Sequence, residues 1–204
     1  MRFTLFCCLT LFLSCQPKQQ PASKVLLPPP PPIDGFTIPS SSRDLTKTID
    51  SLQFVTDMPY ICEGDFGCGD PLFWQAVMGK EQAIPLLLDK IRDSSLTRAS
   101  VPNFGGHYAV GDVAYFALTE IIHPIETFDL LPVDFDQNGC GFCSYWQHLQ
   151  ADLRHRVDFE QAIRDWLSDH QGELIWQTSQ AFRNCDCHFP HPNAGHFVLQ
   201  EDKP

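Results

Sequence analysis

Near the C-terminus the stretch CDCHFPHPNAGH packs Cys185, Cys187, His188, His191 and His196 into twelve residues. Thiolate and imidazole together suit zinc or copper, and such density is by itself a metal-ligand composition. A second pair, Cys140 and Cys143, lies in CGFC. Together with Cys185 and Cys187 it would complete a four-thiolate site. The competing chemistry is oxidation. Cys62 and Cys68 flank EGDFG, whose glycines let the chain turn back, so this pair is expected to close as a disulfide. Cys185 and Cys187 are too close in sequence to bridge each other without strain and must reach elsewhere. The other four cysteines thus have three fates open to them: disulfides, a zinc or copper site, or free thiols.

Two further arrangements bear on chemistry. CGFC resembles the active-site spacing of thioredoxin-like oxidoreductases, and a helix starting near Ser144 would direct its dipole at a thiolate. The surrounding sequence departs from that family, with no preceding strand and no βαβ pattern. Asp134, Asp136 and Asn138, followed by Gly139, resemble the first half of an EF-hand calcium loop. The twelfth position is Tyr145 where the family supplies a bidentate glutamate, so at most a weak calcium site is implied. His107, beside Gly105 and Gly106, could line a pocket but reads as loop surface. The chain contains no G-x-S-x-G, no H-E-x-x-H and no phosphate-cradling glycine loop. A non-catalytic role is therefore expected.

The beginning of the chain says where that chemistry would operate. MRFTLFCCLTLFLSC opens with Arg2 and an apolar run from Phe3 to Leu13, too short for a membrane span of about 20 residues. It reads as a signal-peptide core over residues 1–14. Ser14-Cys15 resembles the lipobox of bacterial lipoproteins, with Phe12 where that family usually has leucine. The resemblance implies cleavage before Cys15 and lipidation of its thiol. Gln16 in the next position implies the outer membrane rather than the inner. Cys7 and Cys8 would leave with the signal, so six cysteines remain, an even number that suits three disulfides in an oxidising compartment. Loss of Arg2 takes the formal net charge from −11 to about −12. Such a chain is a poor partner for nucleic acid or anionic headgroups.

Residues 15–42 include five consecutive prolines, Pro28 to Pro32, and form a stiff polyproline spacer rather than a core. Residues 43–204 have the length and apolar content of one domain, with a Cys/His-rich tail from about 180. Asp70-Pro71 supplies a cap and first turn for a helix over PLFWQAVM, which Gly79 would close. Ile84, Leu87, Leu88 and Ile91 form one apolar stripe on the next helix. After a loop through Pro102, Gly105 and Gly106, Asp112 is placed to cap a helix ending before Pro124, with Val113, Ala114, Ala117, Leu118 and Ile121 inward. Further helices are expected over Ser144–Gln150 and Val157–His170, the latter burying Phe159, Ile163, Trp166 and Leu167. Short strands are expected at 174–176 and 196–199.

AIPLLLDKI at 83–91 and VGDVAYFALTEI at 110–121 resemble helices of short HEAT-like repeats. The resemblance implies stacked helical hairpins and a protein-binding role. An irregular helical bundle is the other architecture open to a mainly α chain of this pattern. The leading expectation is a lipid-anchored, non-catalytic module at the cell envelope that binds another protein. The alternatives are a zinc- or copper-binding lipoprotein and an envelope thiol-disulfide oxidoreductase. Replacing Cys15 by serine should abolish incorporation of labelled palmitate and release the protein into the soluble envelope fraction; unchanged labelling would refute the lipidation site.

Overall fold

A computed structural model describes residues 43–59, 69–101, 105–135, 141–178 and 195–200. The fold is mainly α. Its elements are α1 (Arg43–Asp50), α2 (Pro71–Val77), α3 (Ile84–Leu88), β1 (Leu96–Ser100), β2 (His107–Ala109), α4 (Val110–Ile121), α5 (Gly141–Ala151), α6 (Leu153–His170), β3 (Leu174–Thr178) and β4 (Gly195–Leu199). The strands make two separate antiparallel pairs, β1–β2 and β3–β4.

Asp70 caps α2 as its sequence position suggests. One carboxylate oxygen accepts the Leu72 N–H at 2.8 Å, and the other accepts the Thr56 N–H at 2.9 Å and hydroxyl at 2.8 Å. The cap therefore also fastens the segment after α1 to α2. Burial opposes ionisation of Asp70, but these hydrogen bonds outweigh it and hold the carboxyl below its ordinary value. Gly79 acts differently from expectation. Its backbone is right-handed, and the left-handed residue of this turn is Lys80 at φ 50°. What Gly79 provides is space, because a Cβ there would sit 2.7 Å from a Leu45 methyl and 2.9 Å from Ala83.

Helix α4 is the centre of the molecule. Val110, Val113, Ala114, Tyr115, Ala117, Leu118 and Ile121 are all buried, and the helix packs against α2, α3 and β4. It starts at Val110, with Ala109 at its N-cap, so Asp112 caps it from the third helical position rather than from the N-cap itself. Asp112 lies in the first turn, is buried, and accepts the Ala109 N–H at 2.8 Å. The turn preceding β1 folds over this helix start: the Val110 and Gly111 N–H groups donate to the Ser95 and Asp93 carbonyls, both at 2.8 Å. Any side chain at 111 would collide with the Ile91 carbonyl and with Arg156.

Helix α6 buries charge as well as apolar surface. Arg156, Glu160 and Arg164 recur every four residues along one face and are all buried. Arg156 donates to Asp112 at 2.7 Å. Glu160 accepts from Arg164 at 2.7 Å and from Arg92, and Arg164 reaches Asp89 at 2.7 Å. On the neighbouring stripe Phe159, Ile163 and Leu167 pack inward as expected, while Trp166 is only half-buried. Asp152 caps α6, accepting the Arg154 N–H at 2.9 Å, so the helix begins four residues before the expected Val157.

Tyr145 of α5 is wholly buried among Phe128, Phe135 and Phe159. Among the described residues its hydroxyl has no hydrogen-bond partner. Burial pushes that phenol far above its ordinary pKa, with Tyr115 adding to the shift. Leaving a buried hydroxyl unpaired costs about 1–3 kcal/mol, whereas removing one partner from a buried ion pair costs about 3–5 kcal/mol. Tyr145→Phe should therefore keep or raise the chemical-denaturation midpoint, and Glu160→Ala should lower stability by about 3–5 kcal/mol. A neutral Glu160→Ala would mean that the buried charges are not paired in solution.

Candidate functional site

The β3–β4 ladder runs through five paired residues, from Leu174 opposite Leu199 to Thr178 opposite Gly195. The expected strands at 174–176 and 196–199 are thus present and slightly longer. Gly195 is needed at the Thr178 end of the ladder, where a Cβ would sit 2.5 Å from the Gln177 carbonyl and 2.8 Å from the Trp176 ring. Trp176 meets Phe197 edge to face at 5.2 Å and carries Lys80 over its ring at 4.7 Å. The ladder docks on the end of α4 through a parallel bridge between Ile122 and Phe197, and the His123 N–H donates to the Phe197 carbonyl at 3.2 Å.

That docking brings together two histidines far apart in the sequence. The His123 and His196 rings stack with centroids 3.5 Å apart and planes 11° from parallel. Burial, followed by the neighbouring His196, lowers His123 to about 4. Burial alone lowers His196. Both are therefore neutral imidazoles at pH 7. Sequence reading selected His196 for its neighbours in the tail, but nothing marked His123, which follows a helix and precedes a proline.

A second stacked pair joins α5 to α6. His148 and His155 lie 3.8 Å apart and 6° from parallel, and His155 Nδ1 is 2.6 Å from the His148 carbonyl. Burial and His155 lower the pKa of His148, while Asp158 works the other way. His170 is similarly tied down, its Nδ1 2.8 Å from the Trp166 carbonyl and its ring stacked on that indole.

Cys143 stands in the first turn of α5, placing the second cysteine of CGFC at a helix start. Val133–Phe135, the last described residues before it, are not a strand, and the two small sheets are antiparallel rather than βαβ. Asp134 is exposed. His107 is an exposed residue of β2 opposite Ser100, not a loop residue as expected. Cys15, Cys62, Cys68, Cys140, Cys185, Cys187, His188, His191, Asp136 and Asn138 lie outside the described residues. Among the described residues, no three His, Cys, Asp or Glu side chains converge as a metal site, and no helix is long and apolar enough to cross a membrane.

One exposed cluster has the composition of a protein contact. Phe54 is 50 % exposed, and the Arg98 guanidinium lies 5.6 Å from its ring. Leu96, 65 % exposed, projects from the same face of β1 as Arg98. The chain around them is held by the Arg98 N–H, which donates to the Val55 carbonyl at 3.1 Å. No signal in the sequence distinguished these residues, because β1 and the turn holding Phe54 were not expected.

In comparison with known proteins, the chain matches no family model, and neither a curated protein nor a solved structure is similar to it.

The cysteine chemistry is open to direct measurement. The intact native mass of the chain, prepared in the periplasm without added metal, should fall by the six hydrogens of three disulfides relative to the fully reduced form. A zinc- or copper-sized adduct with four thiols still reduced would replace the disulfide assignment with a thiolate site.

Proposed function

We propose that the chain is a non-catalytic module, tethered at the cell envelope through lipid on Cys15, that binds another envelope protein. The observation that carries this reading is the Phe54, Leu96 and Arg98 cluster. Aromatic and arginine side chains dominate binding hot spots, and an aliphatic neighbour supplies apolar area that water leaves on contact. These residues project from a backbone fixed on one side by β2 and on the other by Val55, so little ordering entropy is spent on binding. The resemblance of residues 83–91 and 110–121 to HEAT-like repeats supports the same role, and the two segments are in contact through α3 and α4.

A second reading, a zinc- or copper-binding lipoprotein, is favoured by the pairing of Thr178 with Gly195. That pairing makes the segment bearing Cys185, Cys187, His188 and His191 the connection of a β-hairpin, with its two ends held together.

The binding reading is tested by photo-crosslinking from position 53, beside Phe54, in intact cells. The wild-type chain should capture a defined envelope protein, and Phe54→Asp combined with Leu96→Asp should reduce the yield about tenfold or more while the melting temperature stays near wild type. Equal capture by the double variant would rule out this surface.

A further inference from the structure

We propose that Arg98 takes a carboxylate of the partner, so that the surface it forms with Phe54 and Leu96 fits an acidic protein segment carrying an apolar side chain close to its Asp or Glu. The inference rests on the protein-binding reading and deepens it, since it names the chemistry that the bound protein must present.

Arg98 differs from the arginines of the helices and turns in having no acid. Arg92, Arg154, Arg156 and Arg164 each meet a carboxylate within the domain, and Lys47 and Lys90 meet Asp44 and Asp50. Among the described residues neither a carboxylate nor a hydrogen-bond acceptor meets the Arg98 guanidinium, which lies over the exposed Phe54 ring. Its N–H donors are therefore open to another molecule. The backbone that carries them is pinned on both sides. On one side the Arg98 N–H donates to the Val55 carbonyl. On the other, Thr97 is buried, its hydroxyl donating to the Tyr108 carbonyl at 2.9 Å and accepting the Ala99 N–H at 3.2 Å. A guanidinium so placed loses little freedom when a partner arrives.

The form of the occupant follows from charge and spacing. A guanidinium is a planar fork of donors that a carboxylate matches with two parallel hydrogen bonds. Leu96 and Arg98 are two residues apart on one exposed strand face, which sets them about 6.6 Å from each other along the strand. An acid and an apolar residue at that spacing are two apart on an extended segment, or three or four apart on a helix. Nucleic acid and anionic bilayers match less well, because they are held by many cations together and the chain carries a net charge of −11. General repulsion between two acidic proteins is screened beyond about 8 Å at physiological salt, whereas a charge pair in direct contact is not.

Photo-crosslinking from position 53 in intact cells, with the captured protein and its crosslinked peptide identified by mass spectrometry, tests the assignment. The peptide should contain an Asp or Glu with an apolar residue two to four positions away. Arg98→Gln should lower the yield about tenfold or more, and Arg98→Glu at least as much, with the melting temperature near wild type. Changing the mapped acid of the captured protein to lysine should restore capture by Arg98→Glu. Equal capture by wild type and Arg98→Gln, or failure of the exchanged charges to restore capture, would overturn the acidic assignment while leaving the binding reading intact. No protein captured by the wild-type chain would overturn both. Should an Arg98 variant fail to fold, the lysine change in the captured protein decides alone: it should abolish capture by the wild-type chain, and unchanged capture refutes the pair.

Discussion

Burying Glu160 requires that two arginines be brought to it, and most of the helical packing is arranged so that they are. One arginine comes from the same helix, at position 164, and the other, Arg92, from the turn after α3. Four residues earlier on α6, Arg156 meets the buried Asp112 at the start of α4. Charges removed from water cost several kcal/mol each unless their partners are well placed, so the pairs tolerate little sliding of α6 along α3 and α4. Apolar packing alone would leave that register loose, because leucine and isoleucine faces accept many offsets. The charged stripe thus fixes which residues of α6 face which turn, and the apolar stripe beside it supplies the burial.

This division explains what was legible in the sequence. The Asp70-Pro71 start of α2 and the inward faces of α3, α4 and α6 follow from local spacing, and the structure contains them. Ile91 belongs to the apolar stripe read for the second helix, yet it lies past the end of α3 in a turn, buried all the same. Helix α1 was not expected, since RDLTKTID offers only Leu45 and Ile49 as apolar contacts one turn apart. The β1–β2 pair has no counterpart in the sequence expectation, which places a loop through Pro102, Gly105 and Gly106. Its strands are short, and their pairing depends on Gly105 and Gly106, both in the left-handed region, to reverse the chain. The buried stripe of Arg156, Glu160 and Arg164 has the spacing of a solvated helical surface. Only the positions of Arg92, Asp89 and Asp112, each supplied by another element, turn it inward.

The candidate sites divide in the same way. The Cys/His-rich tail is visible as composition because its residues are neighbours in sequence. His123 becomes relevant only through the bridge between Ile122 and Phe197, a contact between distant parts of the chain. Phe54, Leu96 and Arg98 form a cluster only because the turn after α1 lies alongside β1.

The start of α4 admits no side chain at 111, because the Ile91 carbonyl and Arg156 already occupy that space. The next residue, Asp112, holds that arginine in place. Glycine followed by an acid at a helix start, with Arg-x-x-x-Glu-x-x-x-Arg on a later helix, is therefore a joint requirement: losing either half leaves the other as a defect. Between chains that have diverged at most other positions, this pair of motifs would change last and together. Common ancestry could be recognised from that linked signature after overall sequence identity has faded.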